Sequence, residues 1–127
     1  MLQKGKVMAE LQRIHATNID GVIVVEFKDR RIVDELIIRD LGDELLSLLD
    51  EDGPNKILLN FSHVEFLSSA ALGKLISLRK RAVAYGGEVK LSNICDSVYT
   101  IFELTGLTKP EKFDIKTDQD EALRAFA

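Results

Sequence analysis

The sequence predicts an α/β fold: one mixed β-sheet with about four helices packed on it, in the order ββαβαβαβα, as a single domain over residues 1–127. Three observations carry this. A β-branched run, Val22–Phe27, follows an Asp20-Gly21 turn signal. Compact apolar runs at Lys56–Phe61, Glu88–Ser92 and Phe113–Lys116 alternate with segments of helical period. Glycine-containing breakers separate the two kinds of segment.

Ile14–Thr17 and Val22–Phe27 flank Asn18-Ile19-Asp20-Gly21 and read as an antiparallel hairpin. Asp29-Arg30-Arg31 is a polar turn, after which Ile32 and Val33 fit either a short strand or the entry to a helix. From Asp34, a candidate N-cap, Leu36, Ile37, Leu41, Leu45, Leu48 and Leu49 recur at helical spacing. Asp50–Pro54 stops that helix. Lys56–Phe61 suits a central strand covered on both faces. Ser69–Tyr85 is helical, with Ala71, Leu72, Leu75, Ile76, Leu78, Ala82 and Val83 as its buried stripe, and Arg79, Lys80 and Arg81 near its negative end. Gly86-Gly87 ends it. Glu88–Ser92 alternates as a strand. Val98, Ile101, Phe102 and Leu104 mark a shorter helix with Gly106 just past its end. Phe113–Lys116 is a strand at a sheet edge, and Thr117 or Asp118 caps a last helix carrying Ala122, Leu123 and Phe126.

Composition narrows the function. The 127 residues carry a formal charge of -4, a poor match to sequence-independent nucleic-acid binding, which needs many cations facing phosphates. The single cysteine, Cys95, excludes an internal disulfide and an all-cysteine metal site, and reads as structural. Apolar runs are only a few residues long, too short for membrane insertion, and the N-terminal Met1–Val7 has no apolar core of signal-peptide length. A cytoplasmic location is the default expectation. There is no GxGxxG or GxxxxGK[ST] loop; the Gly73-Lys74 pair lies inside a helix. His15, on a strand, and His63, in a loop, lack metal-ligand spacing. No cofactor is expected, and no convergent set of titratable groups points to an enzyme.

One segment departs from this bland background: Asn60-Phe-Ser-His-Val-Glu-Phe-Leu-Ser-Ser-Ala-Ala-Leu-Gly-Lys-Leu-Ile76. A buried strand leads through a short loop into Ser68-Ser69 at a helix start, followed by small residues. Serine is a preferred N-cap, so capping alone explains a hydroxyl there. The same free amides and positive dipole end also favour an added anion, and a phosphate would bring roughly -1.5 to -2 charges. Ser69, Gly73 and Ser77 fall on one side of the helix. That strip is either a plain exposed face or a surface that another protein's backbone can approach closely.

At these residues the chain resembles the STAS domains, and among them the single-domain bacterial anti-sigma factor antagonists. Ile57–Gly73 is similar to the family's apolar strand followed by Asp-Ser-Ser/Thr-Gly-Leu-Gly. Ile101-Phe-Glu-Leu-Thr-Gly-Leu107 is similar to its Phe-x-x-Thr/Ser-Gly-Leu, and element order and length match over nearly the whole chain. Ser68 stands where the family usually has Asp, Ala70 where a second Ser or Thr is common, and Ala71 where Gly is usual. Phe27–Arg31 lacks the common Gly-x-Leu-Asp.

The resemblance implies a STAS-like fold and a regulatory phosphoprotein in transcription and signal transduction. Its phosphoacceptor would be Ser69, with Ser68 as the alternative. Its partner would be an anti-sigma factor with serine-protein kinase activity, and a serine phosphatase would reverse the modification. The implied binding surface comprises Asp29, Arg30, Arg31, His63, Glu65, Ser68, Ser69, Gly73 and Ser77. The competing expectation is an unphosphorylated STAS scaffold subunit in a larger signalling or lipid-transport assembly.

Overall fold

The structure, a computed structural model, describes residues 5–109 and 112–126. Met1–Lys4, on which part of the N-terminal reading rests, lies outside the described residues. The described chain runs β1 (Lys6–Glu10), β2 (Ile14–Ile19), β3 (Val22–Phe27), β4 (Arg31–Ile32), α1 (Glu35–Ser47), β5 (Lys56–Asn60), β6 (Phe66–Leu67), α2 (Ser69–Ala84), β7 (Glu88–Ser92), α3 (Asp96–Leu104), β8 (Asp114–Lys116) and α4 (Gln119–Phe126).

The main sheet has six strands in the order β1-β2-β3-β5-β7-β8. The first three form an antiparallel meander, and β3, β5, β7 and β8 are parallel. The predicted hairpin turns at Asp20 and Gly21, both at positive φ (51° and 85°), the combination that a two-residue turn matched to strand twist requires. β5 lies at the centre and β8 at one edge, as expected.

Side-chain alternation sorts the two faces. Ala16, Val25, Leu59 and Leu91 point to one face, where Leu41 and Leu45 of α1, Leu72 and Leu75 of α2, and Val98 and Phe102 of α3 close the main core. Phe27, Phe61, Phe102 and Phe113 run through it as a chain of tilted and edge-on rings, 4.8 to 6.1 Å between centroids. Ile19, Val22, Val24 and Leu58 point to the other face and meet α4, through Ala122 and Phe126 with Leu123 alongside.

The predicted order holds, extended by three short strands. β1 is broken by a bulge between Val7 and Ala9, which erases a period-two signal. β4 and β6 have two residues each, too few for any periodicity, and pair with one another as a separate parallel ribbon. Two assigned stripes shift. On α1, Leu36 is 52% exposed and Ile38 is buried in its place, because the helix packs one position further round. On α2, Val83 is 48% exposed, since the stripe ends at Ala82 where the helix leaves the core. Phe113 is a core residue immediately ahead of β8 rather than part of it.

Candidate functional site

The site grows from the small ribbon. In β4 and β6, Arg31 lies beside Phe66 and Ile32 beside Leu67. Ile32 and Leu67 face the core, so Arg31 and Phe66 face outward, and the Arg31 guanidinium sits 5.2 Å from the Phe66 ring centroid. The Glu65 and Phe66 amides donate to the Arg30 carbonyl (2.8 and 3.2 Å), and the Ser68 amide donates to the Ile32 carbonyl (3.1 Å). An Arg30–Glu65 ion pair of 3.2 Å crosses the same junction, exposed on both sides. Two turns far apart in sequence are thereby stitched together beside the start of α2.

At that start the two serines divide the work. Ser68 is the N-cap: its backbone is extended (φ -83°, ψ 166°), and its Oγ accepts the Ala71 amide at 3.2 Å. Ser69 is the first helical residue and is exposed. Among the described residues, nothing hydrogen-bonds the Ser69 hydroxyl. α2 has no acidic residue in its first turn, whereas α1 starts with the Asp34 carboxylate accepting from Leu36 and Ile37, followed by Glu35. The positive end of α2 therefore lacks a compensating carboxylate of its own. Ser69, Gly73 and Ser77 are all exposed along one side of α2, and a β-carbon built on Gly73 would meet nothing within 4 Å.

The fold thus brings Arg30, Arg31, Glu65, Ser68 and Ser69 together, with Gly73 and Ser77 continuing along the helix. The other two expected residues point elsewhere. The Asp29 carboxylate faces Arg13 at 3.6 Å. His63 Nε2 lies 3.8 Å from Glu26, on the rim of a shallow depression of about 370 Å³ lined also by His15, Phe27, Lys28 and Arg30. Among the described residues no group of three or more His, Cys, Asp or Glu is placed to hold a metal ion.

The loop before Ser69 has unexpected support from two places, the start of α3 and the end of β5. Ser97 Oγ, at the start of α3, donates to the Glu65 carbonyl at 3.1 Å, and the exposed Cys95 thiol approaches the Val64 carbonyl at 3.5 Å. Asn60 Oδ1 accepts both the amide and the hydroxyl of Ser62, at 2.9 and 2.7 Å. The second was legible: an asparagine at the end of an apolar strand commonly bonds the backbone two residues on. The first was not, because no local pattern links Ser97 to Glu65.

Fold and site together define a class: a small α/β domain that presents a serine-led helix start, braced by a two-stranded ribbon, on its surface. Residues 13–122 match the STAS domain family, and the chain belongs to it. Its fold is similar to that of an anti-sigma-factor antagonist (STAS) domain protein from Planctomyces limnophilus (22% identity, 93% of this chain and 100% of that one, TM-score 0.80). It is likewise similar to an anti-sigma factor antagonist from Mycobacterium paratuberculosis (24% identity, 88% and 91%, TM-score 0.75). A Bacillus cell fate determinant in its phosphorylated form also shares the fold (14% identity, 98% and 100%, TM-score 0.62).

Proposed function

We propose that this chain, acting as one STAS unit over residues 1–127, is a phosphorylation-controlled binding module: a bacterial, cytoplasmic anti-sigma factor antagonist. The supporting observation is the exposed hydroxyl of Ser69 at the first helical position of α2, beside a cap filled by Ser68. Family membership and neighbours described as anti-sigma factor antagonists, one structure of the fold being a phosphorylated form, support the same reading.

In this reading the unmodified chain docks on an anti-sigma factor that is also a serine kinase, and a serine phosphatase resets it. The contact surface is the outer side of the β4–β6 ribbon with the Ser69, Gly73 and Ser77 strip. Docking is close because the strip has almost no side-chain bulk. A phosphate on Ser69 meets free amides and a favourable dipole, so the fold tolerates it. It also places about two negative charges and a tetrahedral group where the partner must be in contact, so the partner leaves. The chain is a substrate and ligand in this scheme, not a catalyst.

The test is calorimetric titration with the anti-sigma factor of the same cell. Ser69→Asp is expected to weaken binding roughly 100-fold, or about 2.7 kcal/mol, with thermal unfolding nearly unchanged. Equal affinities for the two proteins remove the proposal. A second reading is favoured by Ser68 and Ala70, which replace the Asp and hydroxyl residue usual on either side of the acceptor: a STAS scaffold that is never phosphorylated. Phosphopeptide analysis of native protein separates the two, since a scaffold yields only unmodified Ser69 peptide under all growth conditions.

A further inference from the structure

α4 stands apart from the rest of the molecule. The side chains it buries, and those it buries them against, form a cluster separate from the main core. A helix seated on its own patch can come away without opening the principal core. With eight residues it is too short to be helical alone, so its helicity and its seating are lost together.

Each end of α4 has a distinct anchor. At the far end, the Phe126 ring covers the Lys90 ammonium at 5.2 Å. At the near end, Gln119 Oε1 accepts a hydrogen bond from Asn60 Nδ2 at 2.8 Å. Asn60 is 8% exposed, and the other end of its amide holds the Ser62 amide and hydroxyl. One planar amide therefore ties the first residue of α4 to the turn that opens the approach to Ser69. Its oxygen and nitrogen have different partners, so bonding at one end fixes the orientation at the other.

We propose that α4 controls the order of the loop 61–67, and with it the placement of Ser69, through the Asn60 amide. With α4 seated, Gln119 holds the amide plane and the Asn60 oxygen stays aimed at Ser62. With α4 away, Asn60 opens to water, its side-chain torsion is released, and the Ser62 turn loses its fixed acceptor. The loop then relies on its contacts with Arg30 and the start of α3. This coupling belongs to the unmodified chain and stands whether or not Ser69 is a phosphoacceptor.

Hydrogen exchange resolved by residue, on the full chain alone, tests it with wild type, Gln119→Ala and Phe126→Ala. Both variants are expected to exchange the amides of residues 61–67 about tenfold faster or more, while those of β2, β3 and α1 keep wild-type rates. Acceleration in α4 with wild-type rates at 61–67 overturns the proposal. If Phe126→Ala accelerates exchange everywhere, Gln119→Ala decides: faster exchange at 61–67 supports the coupling, and wild-type rates there overturn it.

Discussion

Ser68 Oγ accepts the Ala71 amide at 3.2 Å, so the residue that caps α2 is the one beside Ser69, not Ser69 itself. Of two identical adjacent side chains, one is committed to the fold and the other is left to the surface. Ser68→Ala is therefore expected to cost about 1 kcal/mol, and Ser69→Ala to stay within about 0.5 kcal/mol of wild type. Urea unfolding measures both. Equal losses would show that the division between them is wrong.

Gly73 lies in the interior of α2 with open space where a β-carbon would go. Gly73→Ala should stabilise the protein by about 0.5–1 kcal/mol, a rise of a few degrees in Tm. In the proposed docking mode the added methyl fills the strip and weakens partner binding. A variant that is more stable and binds equally well would move the contact surface elsewhere.

Gly87 is the opposite case. A β-carbon there would run into the Asn55 carbonyl oxygen, backbone that cannot yield cheaply. Asn55 is itself buried at positive φ (47°), and its carbonyl takes the Glu88 amide at the start of β7. Gly87→Ala is expected to cost at least about 1–3 kcal/mol, the range for overpacked sites. Chemical denaturation comparing it with Gly73→Ala would show opposite signs for the same substitution.

Lys90 is buried on the α4 face and contacts Asp114 at 2.7 Å and Glu88 at 3.0 Å. Burial pushes the Lys90 pKa down, but the bonds to Asp114 and Glu88 outweigh it and leave the pKa above the ordinary 10.5. Burial likewise pushes Asp114 up, and Lys90 with Lys116 outweighs that, leaving it below 3.8. The depressed Asp114 contributes stability that is present above its unfolded pKa and lost as pH falls through the folded one. The raised Lys90 contributes stability that is present below its unfolded pKa and lost as pH climbs through the folded one. Melting temperature should thus fall below about pH 4 and again above about pH 10. Asp114→Asn should flatten the acid limb; an unaltered limb would assign the acid loss to other carboxylates.

The candidate site was legible as a segment but not as a surface. Ser68-Ser69 between a buried strand and small residues was enough to locate the helix start. No local pattern in the chain brings Arg30, Arg31 and Glu65 to it, because they meet through a ribbon of two-residue strands; only the family resemblance grouped them. Nor does a local pattern show that Asp29 and His63 of the expected surface face Arg13 and Glu26, which come from β-meander residues distant in sequence.

The sequence by itself determined the alternation of strands and helices, the Asp20-Gly21 hairpin, the Asp34 cap and the serine-led start of α2. Each depends on periodicity or on backbone geometry within a few residues. The tertiary structure alone decided which serine caps and which stays free, which face α4 covers, and that Asn60 joins α4 to the loop before Ser69. Those outcomes depend on pairings across dozens of residues, where hydrogen-bond partners are chosen by the packing of whole elements and leave no local pattern to read.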